Sequence, residues 1–262
     1  MNQLSNLFQR NESDFVSTDF TVGYAPIEFT IPEKTVHRDK QPVSNIFLQW
    51  TPDQQVVSLP QSTLYTRIGK RIFDVVVATL VLVFVLSWLI PLIGLLIVLE
   101  SPGSVFFIQA RSGRRGKAFQ CFKFRTMVHI STQQGAFRQT ARNDNRVTAL
   151  GRFLRRTNLD EMPQFINVLL GDMSLVGPRP HAVQHDVQHW SSPAYRERYW
   201  VRPGITGLAQ VRGSRGATGA KHQMEHRVRY DHLYIPRQTF LLDMKICFRT
   251  VKLMFKGDAN AW

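Results

Sequence analysis

The sequence predicts a helix-rich α+β protein: a re-entrant membrane helix hairpin, interfacial amphipathic helices and a small cytoplasmic domain. Three observations predict it. Val75 to Leu99 is a run of 25 residues without a charge. Basic residues crowd both ends of that run. The remainder alternates short strand patterns with helical ones and ends in an amphipathic stripe.

Taken in chain order, residues 1–60 hold four Lys/Arg against seven Asp/Glu, with Pro26, Pro32, Pro42, Pro52 and Pro60 spread through them. They read as a variable, partly disordered N-terminal extension. No basic head followed by an apolar run opens the chain, so no secretory signal is read there, and the chain is expected to begin on the cytoplasmic side. Residues 61–262 hold 29 Lys/Arg against 12 Asp/Glu. A region this basic attracts phosphate-bearing partners: nucleic acid, anionic lipid headgroups or nucleotides. Cys121 and Cys247 suggest neither a disulfide framework nor a zinc knuckle.

As one helix, the uncharged run would extend roughly 37 Å, enough for a bilayer core of about 30 Å. A simple crossing fits it poorly. Pro91 removes a backbone hydrogen bond and should bend the helix. Arg67, Lys70 and Arg71 precede the run, and Arg111, Arg114, Arg115, Lys117, Lys123 and Arg125 follow it. Flanking cations prefer the cytoplasm, so both ends want one side. A hairpin over about residues 70–100 accounts for both; a single crossing is the competing arrangement.

The domain expected over about residues 101–237 begins with strands at Val105 to Ile108 and Ala118 to Phe124, around the turn Arg111-Ser-Gly-Arg-Arg-Gly116. Asp160 to Leu170 and Gln223 to Tyr230 read as helical. Over about residues 238–256, Leu241, Met244, Phe248, Val251 and Phe255 recur at helical spacing beside Lys245, Arg249, Lys252 and Lys256. Such a helix suits the headgroup plane; a helix packed on the domain core is the alternative.

Chemistry concentrates after Gly151. Thr157 followed by Asp160 resembles a helix N-cap, and Pro163 is tolerated near a helix start. Asp160 and Glu161 would then lie at the positive end of a helix, just after Arg155 and Arg156, a setting that favours ionised carboxylates. An ionised aspartate can attack phosphorus, provided that a divalent cation and arginines neutralise the phosphates. Asn167-Val-Leu-Leu-Gly-Asp-Met-Ser-Leu-Val-Gly-Pro-Arg-Pro180 follows, a loop stiffened by two prolines around one guanidinium, Arg179, suited to gripping phosphate. Arg202-Pro-Gly-Ile-Thr-Gly207 repeats the recipe.

At these motifs the sequence resembles the bacterial sugar transferases known as monotopic phosphoglycosyl transferases, over about Gly69 to Trp262. The likeness runs through Lys70-Arg-Ile-Phe-Asp74, Ser101-Pro-Gly103, Lys123-Phe-Arg-Thr-Met127, Asp144-Asn-Arg-Val-Thr148, Leu159-Asp-Glu-Met-Pro-Gln164 and the two loops above, and its ending is similar to the exopolysaccharide-initiating branch. The resemblance implies that Asp160 is the nucleophile and a Mg²⁺ ligand, with Glu161 as its dyad partner. It places Arg179, Arg155, Lys123, Arg125 and Arg202 at phosphate-binding positions. It implies transfer of a sugar-1-phosphate from a UDP-sugar to polyprenyl (undecaprenyl) phosphate, with UMP released, on the cytoplasmic face of a bacterial inner membrane. Membrane lipids are then partners and nucleic acid is not, while a homo-oligomer is compatible with everything read so far. The family usually breaks its membrane helix at Ser-Pro; here the pair is Ser87-Trp88, with Pro91 three residues on. Larger members carry further membrane helices before this module, so a minimal version with a soluble extension is expected.

Other motifs carry less. Gly113-Arg-Arg-Gly-Lys117 lacks the spacing and hydroxyl of a phosphate loop. His181, His185 and His189 share a helix face without a further ligand set. No Asp-x-Asp appears, against a soluble metal-dependent glycosyltransferase. A non-catalytic basic membrane-surface or nucleic-acid-binding protein is the competing class, and an enzyme transferring a sugar without its phosphate is a third. Release of UMP, of UDP, or of neither separates them.

Overall fold

The protein, seen in a computed structural model, is described over residues 61–128, 144–214 and 221–256; the extension read over residues 1–60 lies outside them. The uncharged run forms the middle of one long helix, α1 (Tyr65–Glu100, 36 residues). Pro91 lies inside it, and two of its turns, Tyr65–Gly69 and Leu82–Leu86, widen to π-helix. A widened turn and a proline both interrupt the regular ladder. The neighbourhood compensates with side chains: Ser87 Oγ donates to the Val83 carbonyl (2.7 Å) and Trp88 Nε1 to that of Phe84 (3.0 Å). Trp88, standing where the resembled pattern has proline, thus supplies a donor.

After α1 come β1 (Phe106–Ser112) and β2 (Ala118–Phe124), an antiparallel hairpin in register from Phe106 opposite Phe124 to Ser112 opposite Ala118. Its turn passes through Arg115 at φ 58°. The helix α2 (Ala149–Thr157) starts at Thr148, whose side chain accepts from the Gly151 amide (2.9 Å), and ends where Asn158 turns left-handed. A β-carbon on Gly151 would lie 2.2 Å from the Thr126 carbonyl oxygen, so glycine is what lets α2 reach the end of β2.

A 3-10 turn (Leu159–Glu161) leads to α3 (Gln164–Leu170). The short parallel pair β3 (Ser174–Val176) and β4 (Gly204–Thr206) frames α4 (Val183–His189) and α5 (Pro193–Glu197). One turn, α6 (Leu208–Val211), then α7 (Lys221–Tyr234) and α8 (Phe240–Lys256) complete the described chain. The fold is therefore helix-rich α+β with one long apolar helix.

One core lies under the site. Leu86, Leu89, Ile93 and Ile97 of α1 pack with Phe124 of β2 and Leu154 of α2, joined at the edge by Leu159, Met162 and Phe165. Both ends of α1 are fastened to the domain. Near its start, Arg71 donates to the carbonyls of Val168 (2.6 Å) and Leu169 (2.9 Å), and Asp74 accepts from Ser174 Oγ and the Leu175 amide. Near its end, Glu100 accepts from the Leu150 amide (3.0 Å). Outward-facing apolar residues remain on α1 and on α8, where Phe240, Leu241, Met244, Phe248 and Val251 are exposed. The same helix α8 buries Leu242, Asp243 and Ile246 against the domain, so it serves both readings of its sequence, one per face.

Candidate active site

Leu159 and Met162 pack toward the core, and the two residues between them project to the other side of the turn, toward β2. There Lys123 Nζ lies 2.6 Å from Glu161 Oε1 and 3.9 Å from Asp160 Oδ2. Lys123 is held by its strand, and its strand is held by α3: Asn167 Nδ2 donates to the Gln120 carbonyl (2.6 Å) and Oδ1 accepts from the Phe122 amide (3.0 Å). Asn167 thus behaves as a further rung on the free edge of β2.

Arg179 closes the other side. Its Nη1 donates to Glu161 Oε2 (2.8 Å) and its Nη2 to Oε1, a bidentate pair. The loop carrying it is fixed by its carbonyls: Pro178 accepts from the Gly204 amide (2.9 Å), Arg179 from Arg198 Nη2 (2.9 Å), Pro180 from Arg111 Nη1 (2.6 Å) and His181 from the Ser112 amide (3.3 Å). The stiffness expected from the two prolines is therefore reinforced by four consecutive acceptors that each have a donor.

The two carboxylates differ in environment although both are buried. Burial works against ionisation of Glu161, but Arg179 and Lys123 outweigh it and hold the group well below the usual carboxylate range. Burial, aided by the negative charge of Glu161, pushes Asp160 up, and Lys123, Arg155 and Arg179 pull it back. Among the described residues Asp160 accepts no hydrogen bond and has only the long Lys123 contact. A buried carboxylate with unoccupied lone pairs suits a hard cation, and Mg²⁺ is often held by one or two carboxylates plus substrate phosphates. Asp160 fits that role, whereas both oxygens of Glu161 are taken.

Of the residues singled out in the sequence, the fold brings together Asp160, Glu161, Lys123 and Arg179. Arg155 stands at the margin, its Nε donating to Thr126 Oγ1 (2.9 Å) and its charge felt by Asp160. Arg125 is not brought to the dyad. Its guanidinium donates to the carbonyls of Pro102 (2.7 Å), Ser101 (2.5 Å) and Ile97 (3.3 Å), which closes the C-terminal end of α1. Adjacent residues on a strand face opposite sides; Lys123 and Arg125 share a side, but Arg125 lies past the end of β2, where the chain has left the sheet. Arg202 gives its Nε to the Gly171 carbonyl (2.9 Å). The capping role read for Thr157 is also displaced: it closes α2, with Oγ1 on the Phe153 carbonyl (2.8 Å), while the cap with a partner is Thr148. Asn167, Thr126 and Arg111 were read only as parts of motifs or of a flank, and Arg198 was not read at all. A buried asparagine inside Gln164-Phe-Ile-Asn-Val-Leu-Leu170 was the one visible signal among them.

His181, His185 and Asp186 bring ligand atoms within 4.8 Å of one another. Yet Arg198 Nη1 and Arg227 Nη1 lie 3.3 and 2.9 Å from the two ring nitrogens of His181, so a dication there would face two fixed positive charges.

With this geometry in place, comparison with known proteins assigns the class. The model of the bacterial sugar transferase family matches residues 65–257, and the chain belongs to that family. It is 48% identical over 195 residues, covering 74% of this chain, to the UDP-glucose:undecaprenyl-phosphate glucose-1-phosphate transferase of Escherichia coli (strain K12), of whose length it spans 41%. The Caulobacter vibrioides protein of the same name is 45% identical over 217 residues, 80% of each chain. The Aeromonas hydrophila UDP-N-acetylgalactosamine-undecaprenyl-phosphate N-acetylgalactosaminephosphotransferase is 39% identical over 207 residues, 78% of this chain and 48% of that one.

Proposed function

We propose that the chain transfers a sugar-1-phosphate from a UDP-sugar to undecaprenyl phosphate, the first step of an exopolysaccharide, and that the donor is UDP-glucose. The names of the E. coli and Caulobacter relatives support the donor and the acceptor. The observation that carries the chemistry is the asymmetry of the dyad: Glu161 has both oxygens bound, while Asp160 beside it has its oxygens free of hydrogen bonds from the described residues.

In this reading an Asp160 oxygen attacks the sugar-bearing phosphorus of the donor. The bond from that phosphorus to the bridging oxygen breaks, and UMP leaves with the electron pair. An oxygen of undecaprenyl phosphate then attacks the same phosphorus and breaks its bond to Asp160, which regenerates the carboxylate and gives a lipid diphosphosugar. Attack of one anion on another needs compensating charge. Lys123 and Arg179 supply it close to the dyad, and Arg155 at the margin. Bound Mg²⁺, held by Asp160, would supply further charge neutralisation on the phosphates. Glu161 keeps the two cations aligned, and the buried setting strengthens each of these interactions.

We further propose that α1 enters and leaves the membrane by the cytoplasmic face of the bacterial inner membrane. The fastening of both its ends to one domain supports this, as do the widened turn and Pro91 between them.

Purified protein with undecaprenyl phosphate and a panel of UDP-sugars, with and without Mg²⁺, tests the function. UMP release is expected, greatest with UDP-glucose and dependent on Mg²⁺. It should vanish in Asp160→Asn and fall about 100-fold or more in Glu161→Gln. Full activity of Asp160→Asn would remove the nucleophile assignment, and release of UDP in place of UMP would replace the reaction class.

A further inference from the structure

We propose that Arg198, held by Asp231, is a positioning residue for Arg179. The inference rests on the reading of the site given above and adds a part to it. Arg198 is a fully buried arginine, and two of its guanidinium nitrogens donate to fixed acceptors. Nε donates to Asp231 Oδ2 (2.6 Å), Nη2 to the Arg179 carbonyl (2.9 Å), and Nη1 lies 3.3 Å from His181 Nδ1. Asp231 is buried too, on α7, far along the chain from the loop it thereby serves. A planar fork can bridge a carboxylate and a carbonyl in fixed geometry; an ammonium cannot.

Two residues further along the loop, the His181 ring is held by the same cluster. Tyr195 donates to Asp186 Oδ1, so its hydroxyl is left to accept from His181 Nδ1 (2.7 Å). His181 Nε2 is then the acceptor for Arg227 Nη1 (2.9 Å). Burial keeps His181 neutral at physiological pH, with Arg198 and Arg227 adding to the effect, which agrees with that single-proton arrangement. The cluster behind the loop meets the Arg179 peptide directly through one hydrogen bond, from Arg198 Nη2 to its carbonyl. From that peptide the Arg179 side chain reaches Glu161 with both terminal nitrogens. A shift of the carbonyl would carry the guanidinium with it. Misplacement of a catalytic group by about 1 Å can cost 100-fold in rate.

A double-substitution experiment on the full chain reads this out, with UMP release from UDP-glucose and undecaprenyl phosphate expressed per folded molecule. Arg198→Lys is expected to lower kcat about tenfold or more, through mispositioning. Asp231→Asn, which retains the shape and one acceptor, should lower it less, and it serves if Arg198→Lys does not fold. In an Arg179→Ala background either change should alter kcat less than twofold, because the group being positioned is gone. Tyr195→Phe removes the hydroxyl between His181 and Asp186 but leaves the bond from Arg198 to the Arg179 carbonyl, so kcat should fall less than in Arg198→Lys while thermal stability falls. Losses that multiply independently of Arg179 would overturn the brace and leave the site intact, as would a fall in Tyr195→Phe equal to that in Arg198→Lys. Unchanged turnover in Arg179→Ala alone would overturn the reading of the site and the brace with it.

Discussion

Asn167 shows how one side chain can set a site from behind. Its amide takes the place of a neighbouring strand along β2, and both of its partners are main-chain groups within three residues of Lys123. In Asn167→Leu the apolar volume is kept while the Phe122 amide and the Gln120 carbonyl lose their partner. Leaving buried polar groups unpaired costs about 1–3 kcal/mol each, so a loss of about 2–6 kcal/mol is expected, with lower turnover as Lys123 loses its footing. Thermal unfolding of the purified protein measures it, and a change below about 0.5 kcal/mol would contradict the assignment. The dyad lay open in Leu159-Asp-Glu-Met162, where two apolar residues bracket two acids. The partners that hold the dyad did not: nothing in the spacing links Lys123 to Glu161, or Arg111 and Arg198 to the carbonyls of the loop around Arg179. Those links are made by tertiary contact between elements distant in the chain.

At the scale of elements, period carried the reading well where one face of a segment dominates. Ala118–Phe124 and the helix after Phe240 follow directly from their patterns. Where several short elements share one apolar run the period failed. Asp160 to Leu170, read as one helix, is a 3-10 turn followed by α3, because Asn158 turns the chain left-handed and Pro163 has no amide to continue the ladder. The basic residues around α1 were read as a flank that prefers the cytoplasm; two of them also hold the fold, Lys70 pairing with Asp243 (2.5 Å) and Arg71 capping α3. Arg125 acts as the fastening at the far end of α1. An Arg125→Lys change keeps the charge but offers no planar fork to three carbonyls, so at least one carbonyl loses its donor. A destabilisation of about 1–3 kcal/mol is expected, read as a lower unfolding temperature in lipid nanodiscs, while kcat per folded molecule should change less than it does in Glu161→Gln. Unaltered stability would show that the carbonyls find other donors.

Across the whole molecule two consequences follow from how charge and the long helix are placed. The first concerns acid. His181 is held well below its ordinary value by burial beside Arg198 and Arg227, and His185 is pushed down to about 4 by burial, His189 and the same arginines. Unfolded histidines titrate near about 6.5, so below that pH the unfolded chain binds protons that the folded chain refuses. Stability should be full above about pH 6.5 and fall as the pH drops toward 4. Asp186 and Asp231, raised by burial, act in the opposite sense, so the comparison that isolates the effect is with His181→Gln. That variant should show a shallower fall in unfolding temperature between pH 7 and pH 5, and an equal slope would reject the histidine origin.

The second consequence is topological. A straight helix of 36 residues would extend about 54 Å, more than a bilayer core of about 30 Å. Yet its first turns bind the end of α3 and the strand β3, and its last residues bind α2 and Arg125. Were α1 to cross once, the domain fastened at one end would have to pass polar groups through the hydrocarbon to reach the other, and unpaired polar groups there cost several kcal/mol each. In the re-entrant arrangement proposed above, bending at Leu82–Leu86 and Pro91 would let both ends stay with the domain while the exposed apolar residues between them faced lipid. Single cysteines placed before Arg67 and after Arg125, in a chain with Cys121 and Cys247 replaced, should therefore react with an impermeant reagent from the same face of sealed inverted vesicles. Labelling from opposite faces would establish a crossing helix, and the fastenings at the two ends of α1 could not then both exist in one membrane-bound molecule.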